Sequence, residues 1–301
     1  MTVSVSYPGV YIDEVPSGVR TIAGVSTSIG LMAGWAPRGS VTEAVRLTSF
    51  GDYEREFGGL DARGLLGYAV RQFFANGGSD TYVMRIVDTA TAATAQCALG
   101  ANLTIDARNP GAWANRYAVR STQRTSDTTR FRIDVIDTLA NGAVVESFEN
   151  LSLAAGDARA PANIVNPRSG VIRVTSAVSA TAPADQTVFL GNTTAQAAPP
   201  IAAATTAGAD GNVVGPADAG FRTEVAARFG VGSMSDRIDL YNLVCVPGLT
   251  DPTTLQALQA ECRRRRAFLI VDGDPNGTVA SMAGGGTGGL TGNDGLFSAI
   301  Y

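Results

Sequence analysis

The sequence predicts an α/β core, a mixed sheet with helices, preceded by an extended N-terminal arm and interrupted by an all-β insertion. Residues 21–87 read as strand, helices and strand, and residues 241–271 read as strand, helix and strand. Between them the composition shifts to Thr, Ala, Asn, Gly and Ser, with short alternating apolar runs. The expected divisions are 1–20 for the arm, 21–95 and 216–301 for the two parts of the core, and 96–215 for the insertion.

In the arm, Val3, Val5 and Tyr7 alternate with Thr2, Ser4 and Ser6, so one edge of a strand is apolar and the other polar. Pro8-Gly9 breaks the run, Val10 and Ile12 resume it, and Pro16-Ser17-Gly18 breaks it again before any partner strand has appeared. Such a strand either pairs within its own domain or adds to the edge of another chain's sheet.

After the arm, Thr21 to Ala33 reads as a buried strand and Val41 to Thr48 as a second element. Ser49 is placed to cap a short helix carrying Tyr53 and Phe57, because a small hydroxyl accepts from unpaired first-turn amides; Gly58-Gly59 ends it. Leu65, Leu66, Ala69, Val70, Phe73 and Phe74 form the stripe of an amphipathic helix that Asn76-Gly77-Gly78 stops, and Thr81 to Val87 is β-prone.

In the insertion, β-type stretches fall at Tyr117–Ser121, Arg130–Asp137, Val144–Leu153, Val171–Val174 and Thr187–Leu190, with Phe131, Ile133 and Val135 alternating. Short strands joined by polar turns suggest a small barrel or sandwich, and Thr193 to Ala209 reads as a loop or linker back to the core. Tyr241 to Val246 is then an apolar strand ended by Pro247-Gly248. Asp251 caps a helix from Pro252 to Arg266, and Ala267 to Val271 is the next strand, implying a parallel pair. A new apolar strand begins at Ile300-Tyr301.

At 301 residues and 45% apolar content the chain buries one large core or two modest ones. No run approaches the roughly 18 apolar residues of a membrane span, and the N-terminus lacks a secretory signal pattern, which points to synthesis in the cytoplasm. Cys97, Cys245 and Cys262 are widely spaced and read as buried, reduced thiols. The chain has no histidine and no lysine, and all 23 basic residues are arginine. That excludes a Ser/His or Cys/His pair, a histidine-bound zinc, a Schiff-base lysine and a lysine-bearing phosphate loop.

Carboxylate chemistry and arginine-assisted chemistry survive that exclusion. Asp272-Gly-Asp274, after a strand, would suit a divalent cation or acid–base work, but Asp-Gly-Asp-Pro-Asn-Gly is also a turn sequence. Gly284 to Gly289 lacks a lysine and reads as a flexible loop rather than a phosphate cradle. Arg263 to Arg266 on a helix would point in successive directions about 100° apart, so they suit a helix C-terminus better than a phosphate patch. Asp13, Glu14 and Arg20 of the arm suit charges on a neighbour. No catalytic residue, metal or cofactor is expected.

Three stretches together resemble the start of a contractile tail sheath protein, from contractile phage tails and related injection particles: YPGVYIDEVPSGVRTIAGVSTSIGLMAGWAPRG, then TSFGDYEREFGGL at Thr48 to Leu60, then YAVRQFFANGGSDTYVMRI at Tyr68 to Ile86. DRIDLYNLVCVPGLTD at Asp236 to Asp251 and RRRRAFLIVDGDP at Arg263 to Pro275 resemble a later strand, helix and strand of the same family's core. Residues from Ala101 to Pro216 carry no such pattern.

The resemblance implies a structural subunit, not an enzyme, that polymerises helically around an inner tail tube, meets baseplate and tail-terminator proteins, and contracts to drive the tube through an envelope. It implies assembly into a virion tail or tail-like particle, with no direct nucleic-acid contact and no membrane insertion. Val3, Val5, Tyr7, Val10 and Ile12 would join a neighbour's sheet, with Pro16, Ser17 and Gly18 as a hinge. Sheath proteins continue with a further core region and a C-terminal arm, so the expectation is an incomplete chain rather than a shortened relative. Two other readings stand beside this one: a carboxylate enzyme using Asp272 and Asp274, and a surface module whose β insertion binds a receptor or sugar.

Overall fold

The computed structural model describes residues 28–177, 181–212, 215–274, 276–278 and 296–300. The first part of the core begins with β1 (Gly30–Trp35), buried at every position, as expected of a strand covered on both faces. β2 (Val45–Leu47) follows, then α1 (Phe50–Phe57). The Ser49 hydroxyl accepts from the Asp52 amide at 3.2 Å, and Gly58 leaves the helix at φ 93°, as the capping pattern predicts. Tyr53 and Phe57 are buried with ring centroids 5.2 Å apart. α2 (Leu66–Ala75) lies so close to β1 that a Cβ on Gly34 would stand 2.9 Å from Leu66 Cβ. β3 (Thr81–Ile86) pairs parallel with β1 along its whole length.

Nine strands and a short helix come next: β4 (Gln96–Leu99), β5 (Leu103–Ala107), β6 (Tyr117–Arg124), β7 (Asp127–Asp137), β8 (Ala143–Leu151), α3 (Pro161–Val165), β9 (Ile172–Ala177), β10 (Gln186–Phe189), β11 (Gln196–Ala197) and β12 (Pro200–Ile201). They form antiparallel sheets ordered β10-β6-β7-β8 and β4-β5-β9, with β11 and β12 as a small hairpin. The two larger sheets share one apolar core that includes Cys97, Ile105, Val119, Phe131, Ile133 and Phe148. β4, β5 and α3 were not anticipated. Nor is the 193–209 tract a plain linker: Gln96 donates to the Thr206 carbonyl at 3.0 Å, and Ala209 and Ala93 bond reciprocally. Backbone pairing needs no apolar side chain, so a run of Ala and Thr conceals it.

The second part of the core holds α4 (Ala219–Arg228), β13 (Leu243–Cys245), α5 (Pro252–Arg265), β14 (Phe268–Val271) and β15 (Ser298–Ile300). Asp251 caps α5 by accepting from the Thr254 amide at 2.9 Å. Among the described residues the core sheet runs β15-β14-β13-β1-β3-β2, parallel except for the β2–β3 pair. Met32 and Val83 pack with Tyr53, Leu66 and Val70 on one face, and Leu31, Ala33 and Met84 pack with Phe221, Val225, Leu255 and Leu258 on the other. The product is a mixed sheet between two helical layers, of which α4 alone gave no sequence signal.

Candidate assembly surface

In a sheet of this kind chemistry usually sits where the strand order reverses, outside the carboxyl ends of adjacent parallel strands. Here that point lies between β1, which leads through α1 and α2 to β3, and β13, which leads through α5 to β14. The chain itself fills the crevice. Trp35 ends β1 there, the Arg63 guanidinium lies 4.6 Å from its ring centre, and a Cβ on Gly64 would stand 3.0 Å from its carbonyl oxygen. A cavity of only ≈ 50 Å³ remains, lined by Gly34, Trp35, Arg63, Phe221 and Pro247 among others. Small-molecule sites need several hundred cubic ångströms.

The same end of the sheet carries the joint to the β-rich region. Arg85 stands in β3 on the face of Thr81 and Val83 and is fully buried. Its guanidinium donates to the carbonyls of Ala36 at 2.7 Å, Pro37 at 2.9 Å, Gly39 at 3.0 Å and Pro110 at 2.9 Å. Burial pushes its pKa down to about 10, so it remains charged at neutral pH, held by carbonyl dipoles rather than by a carboxylate. Three of its acceptors belong to the loop after β1, and the fourth lies between β5 and β6. Arg63 makes a second link, pairing with Asp61 at 2.7 Å and Asp210 at 2.9 Å, while Asp210 accepts from the Ala112 amide at 2.7 Å. The sequence reading passed over both arginines. The available signal was a charged residue on an inward position of an otherwise apolar strand, TYVMRI.

The candidate carboxylates have other work. Asp272 accepts from the Gly248 amide at 2.5 Å, tying the exit of β14 to that of β13, and Asp274 accepts from the Asn276 amide at 2.9 Å in its own turn. Among the described residues no cluster of three or more Cys, Asp or Glu is placed to hold a metal ion. The arginines of α5 diverge as expected. Arg264 reaches Glu261 and Asp236, each at 2.7 Å, whereas Arg265 donates to the Ile238 carbonyl and lies 5.0 Å from the centre of the Tyr241 ring.

All three cysteines are free thiols. Cys97 and Cys262 are buried but Cys245 is half-buried, because it lies near the end of its strand. Burial pushes each thiol up to about 12.

Two kinds of surface remain for partners. Among the described residues the core sheet ends at β2 on one side, where Arg46 pairs with Asp80, and at β15 on the other, where Gln259 bonds the Ser298 hydroxyl at 2.8 Å. An edge strand offers unpaired backbone groups to another chain. Apolar side chains stand in water at Leu139, Val144 and Val145 around the β7–β8 turn, at Leu60, Leu65 and Tyr68 around the start of α2, and at Val231. A larger hollow of ≈ 660 Å³ lies among β6, β10 and the β11–β12 hairpin, lined by Arg120, Thr122, Asp185, Gln196 and Ile201 among others, with no aromatic side chain. Val3, Val5, Tyr7, Val10, Ile12, Pro16, Ser17, Gly18 and the Gly284 to Gly289 tract lie outside the described residues. Among the described residues no helix is long and apolar enough to cross a membrane.

The fold is similar to that of two solved proteins. A sheath tail protein from Listeria innocua shares the fold with a TM-score of 0.55 and 12% identity, over 84% of this chain and 49% of its own. A sheath tail protein from Desulfitobacterium hafniense does so with a TM-score of 0.50 and 17% identity, over 89% of this chain and 53% of its own. The chain thus spans about half the length of each. No family model and no curated protein matches the sequence.

Proposed function

We propose that this chain is a structural subunit of a contractile tail sheath, a helical polymer around an inner tail tube that contracts to drive the tube through a target envelope. One observation carries the reading: the fold of sheath tail proteins extends over more than four-fifths of this chain. The crevice filled by Trp35, Arg63 and Gly64 and the turn-bracing role of Asp272 favour it over a carboxylate enzyme.

In this reading Val3, Val5, Tyr7, Val10 and Ile12 add as a strand to a neighbour's sheet, where backbone bonds supply strength and alternate side chains set register. Turns at Pro16, Ser17 and Gly18 absorb the change as the bodies rotate, and the region at 96–215 is an outward decoration. The partners are other copies of the chain, the tube protein, and baseplate and terminator proteins, in a virion tail or a tail-like injection particle. No nucleotide is needed, because the work comes from release of a higher-energy packing summed over many identical interfaces.

Electron microscopy of the full-length gene product, beside the same product without Thr2 to Gly18, tests this. Striated tubes that disappear with the arm are expected; dispersed particles from both would overturn the reading.

A further inference from the structure

We propose that the four-stranded sheet of the β-rich region carries, on its outward face, a binding site for the phosphate group of a sugar or polyol, formed by Arg124, Arg130 and Arg132. The inference is independent of the polymer reading above. A hollow of ≈ 550 Å³, within the range of small-molecule sites, is lined by these arginines together with Thr122, Thr125, Glu149 and Asn150 among others. Side chains alternate along β7, so Arg130 and Arg132 stand on the face opposite Phe131 and Ile133, which are buried in the core. The pairing is irregular on both sides of them. Opposite Arg132, β8 fits Glu149 and Asn150 into the space of one residue, with Asn150 at φ 56°, and the β6–β7 register shifts between Gln123 and Arg124. Bulges of this kind re-aim side chains, and here they bound the hollow.

The chain uses these guanidiniums incompletely. Arg130 pairs with Asp157 through Nη2 at 2.8 Å, yet its Nη1 is covered and has no hydrogen-bond partner among the described residues. Arg132 reaches Asp134 through Nη2 at 3.2 Å, and its covered Nε likewise has none. Asp134 is shared with Arg120, so one carboxylate serves two cations. A covered guanidinium N–H without an acceptor is costly, and an oxyanion in the hollow would relieve that cost. Both side chains keep an exposed part, 27% for Arg130 and 41% for Arg132, so a small rotation turns these N–H groups onto such an anion. Glu149, the carboxylate of the lining, is 74% exposed and stands 4.0 Å from Arg132, beyond hydrogen-bond reach, so an incoming anion displaces it. Donors brought from three side chains suit a phosphate monoester, which offers three free oxygens, better than a carboxylate. Thr122, Thr125 and Asn150 add hydroxyl and amide groups for the hydroxyls of a polyol. Phe131, the aromatic residue of the lining, is 1% exposed, so a nucleic-acid base has no ring to stack on.

Calorimetric titration of the full chain with glycerol 3-phosphate, inorganic phosphate and a short oligothymidylate tests this, in wild type, Arg132→Gln and Glu149→Gln. Glycerol 3-phosphate is expected to bind wild type more tightly than either other probe does. Its affinity should fall about ten-fold in Arg132→Gln, which loses charge-assisted donors. In Glu149→Gln it should rise a few-fold, because the competing carboxylate is gone. Melting curves show whether each variant folds, and Glu149→Gln, altered on an exposed side chain, carries the test if Arg132→Gln does not. Equal affinity for inorganic phosphate would overturn the polyol assignment, and tighter binding of oligothymidylate would overturn it in favour of nucleic acid. No heat with any probe at millimolar concentration, or an affinity that neither variant moves, would overturn the site itself.

Discussion

The α/β core and the β-rich region solve the same problem by different means. In the core, β1 is apolar on both sides because helices cover both faces of the sheet, and Tyr53, Phe57, Leu66 and Val70 meet it from one layer while Phe221, Leu255 and Leu258 meet it from the other. In the β-rich region the two larger sheets share one apolar core, while the other face of β6, β7, β8 and β10 carries a small apolar cluster of Ala118, Phe189, Ile201 and Ala204 beside a stretch stitched by ions. Asp134 lies almost fully covered there, accepting from Arg120 at 2.7 Å and Ser147 at 2.7 Å and pairing with Arg132 at 3.2 Å. One region relies on shape and burial, the other on burial plus a charged lattice. Arg85 joins the two, a buried cation among carbonyls drawn from both.

Breaking that joint should have the largest effect. Arg85→Met leaves the buried carbonyls of Ala36 and Gly39 and the half-buried ones of Pro37 and Pro110 without this donor, a loss of about 3 kcal/mol by the usual cost of unpaired buried polar groups. Denaturant unfolding measures this, and limited proteolysis between Val87 and Ala95 should accelerate as the β-rich region swings free. Unchanged stability would mean that the joint holds without its cation. The charged lattice is the next target. Asp134→Ala should cost about 2 kcal/mol, since Arg120 and Ser147 lose a charge-assisted partner in a largely dry site. If the loss is no greater than that of Glu149→Ala at the exposed end of the same lattice, burial alone holds this sheet.

The same contrast governs how much could be read from the sequence. In the core, local chemistry and tertiary fate coincide: Ser49, Gly58 and Asp251 cap or end helices just where small hydroxyls, glycine and carboxylates are suited to do so. Apolar runs gave β1, β3, β13 and β14 because a strand covered twice is apolar throughout. α4 was invisible since Phe221 and Val225 alone mark its buried stripe amid Ala, Arg, Thr and Glu. In the β-rich region alternation gave β6 through β10. It could not give β11, β12 or the Ala93–Ala209 bridge, whose pairing is carried by backbone. Arg85 was missed for a related reason: a charge inside TYVMRI marks it as unusual, but which carbonyls converge on it is set by the loop after β1 and by Pro110, and that has no residue pattern.

The core's dependence on caps can be measured more finely. Asp251→Ala removes the acceptor for the Thr254 amide and hydroxyl, and should cost about 1 kcal/mol in thermal or denaturant melts. The Thr254 hydroxyl holds Asp251 below the usual carboxylate range, and in the β-rich region Arg116 does the same for Asp137. Carboxylates with depressed pKa contribute stability above their unfolded pKa and lose it as pH falls through the folded one. Both regions should therefore weaken below about pH 4. The chain has no histidine, so stability should be flat from about pH 5 to 8, and a melting curve with a step near 6.5 would contradict this.

The smallest effect separates the regions most cleanly, because each holds thiols of its own. Cys97 lies in β4, Cys245 in β13 and Cys262 in α5, and burial raises all three to about 12. A thiol whose folded pKa is raised contributes fully below its unfolded pKa, near 8.5, and loses that contribution as pH climbs toward the folded value. At pH 9 the loss should be below about 1 kcal/mol for each thiol. Cys97→Ala should remove the share of the β-rich region, and Cys245→Ala together with Cys262→Ala that of the core. If the joint at Arg85 makes the molecule one cooperative unit, both replacements flatten the alkaline slope of a single transition. If each replacement instead alters a separate transition, the regions unfold independently and the joint aligns them without coupling their stability.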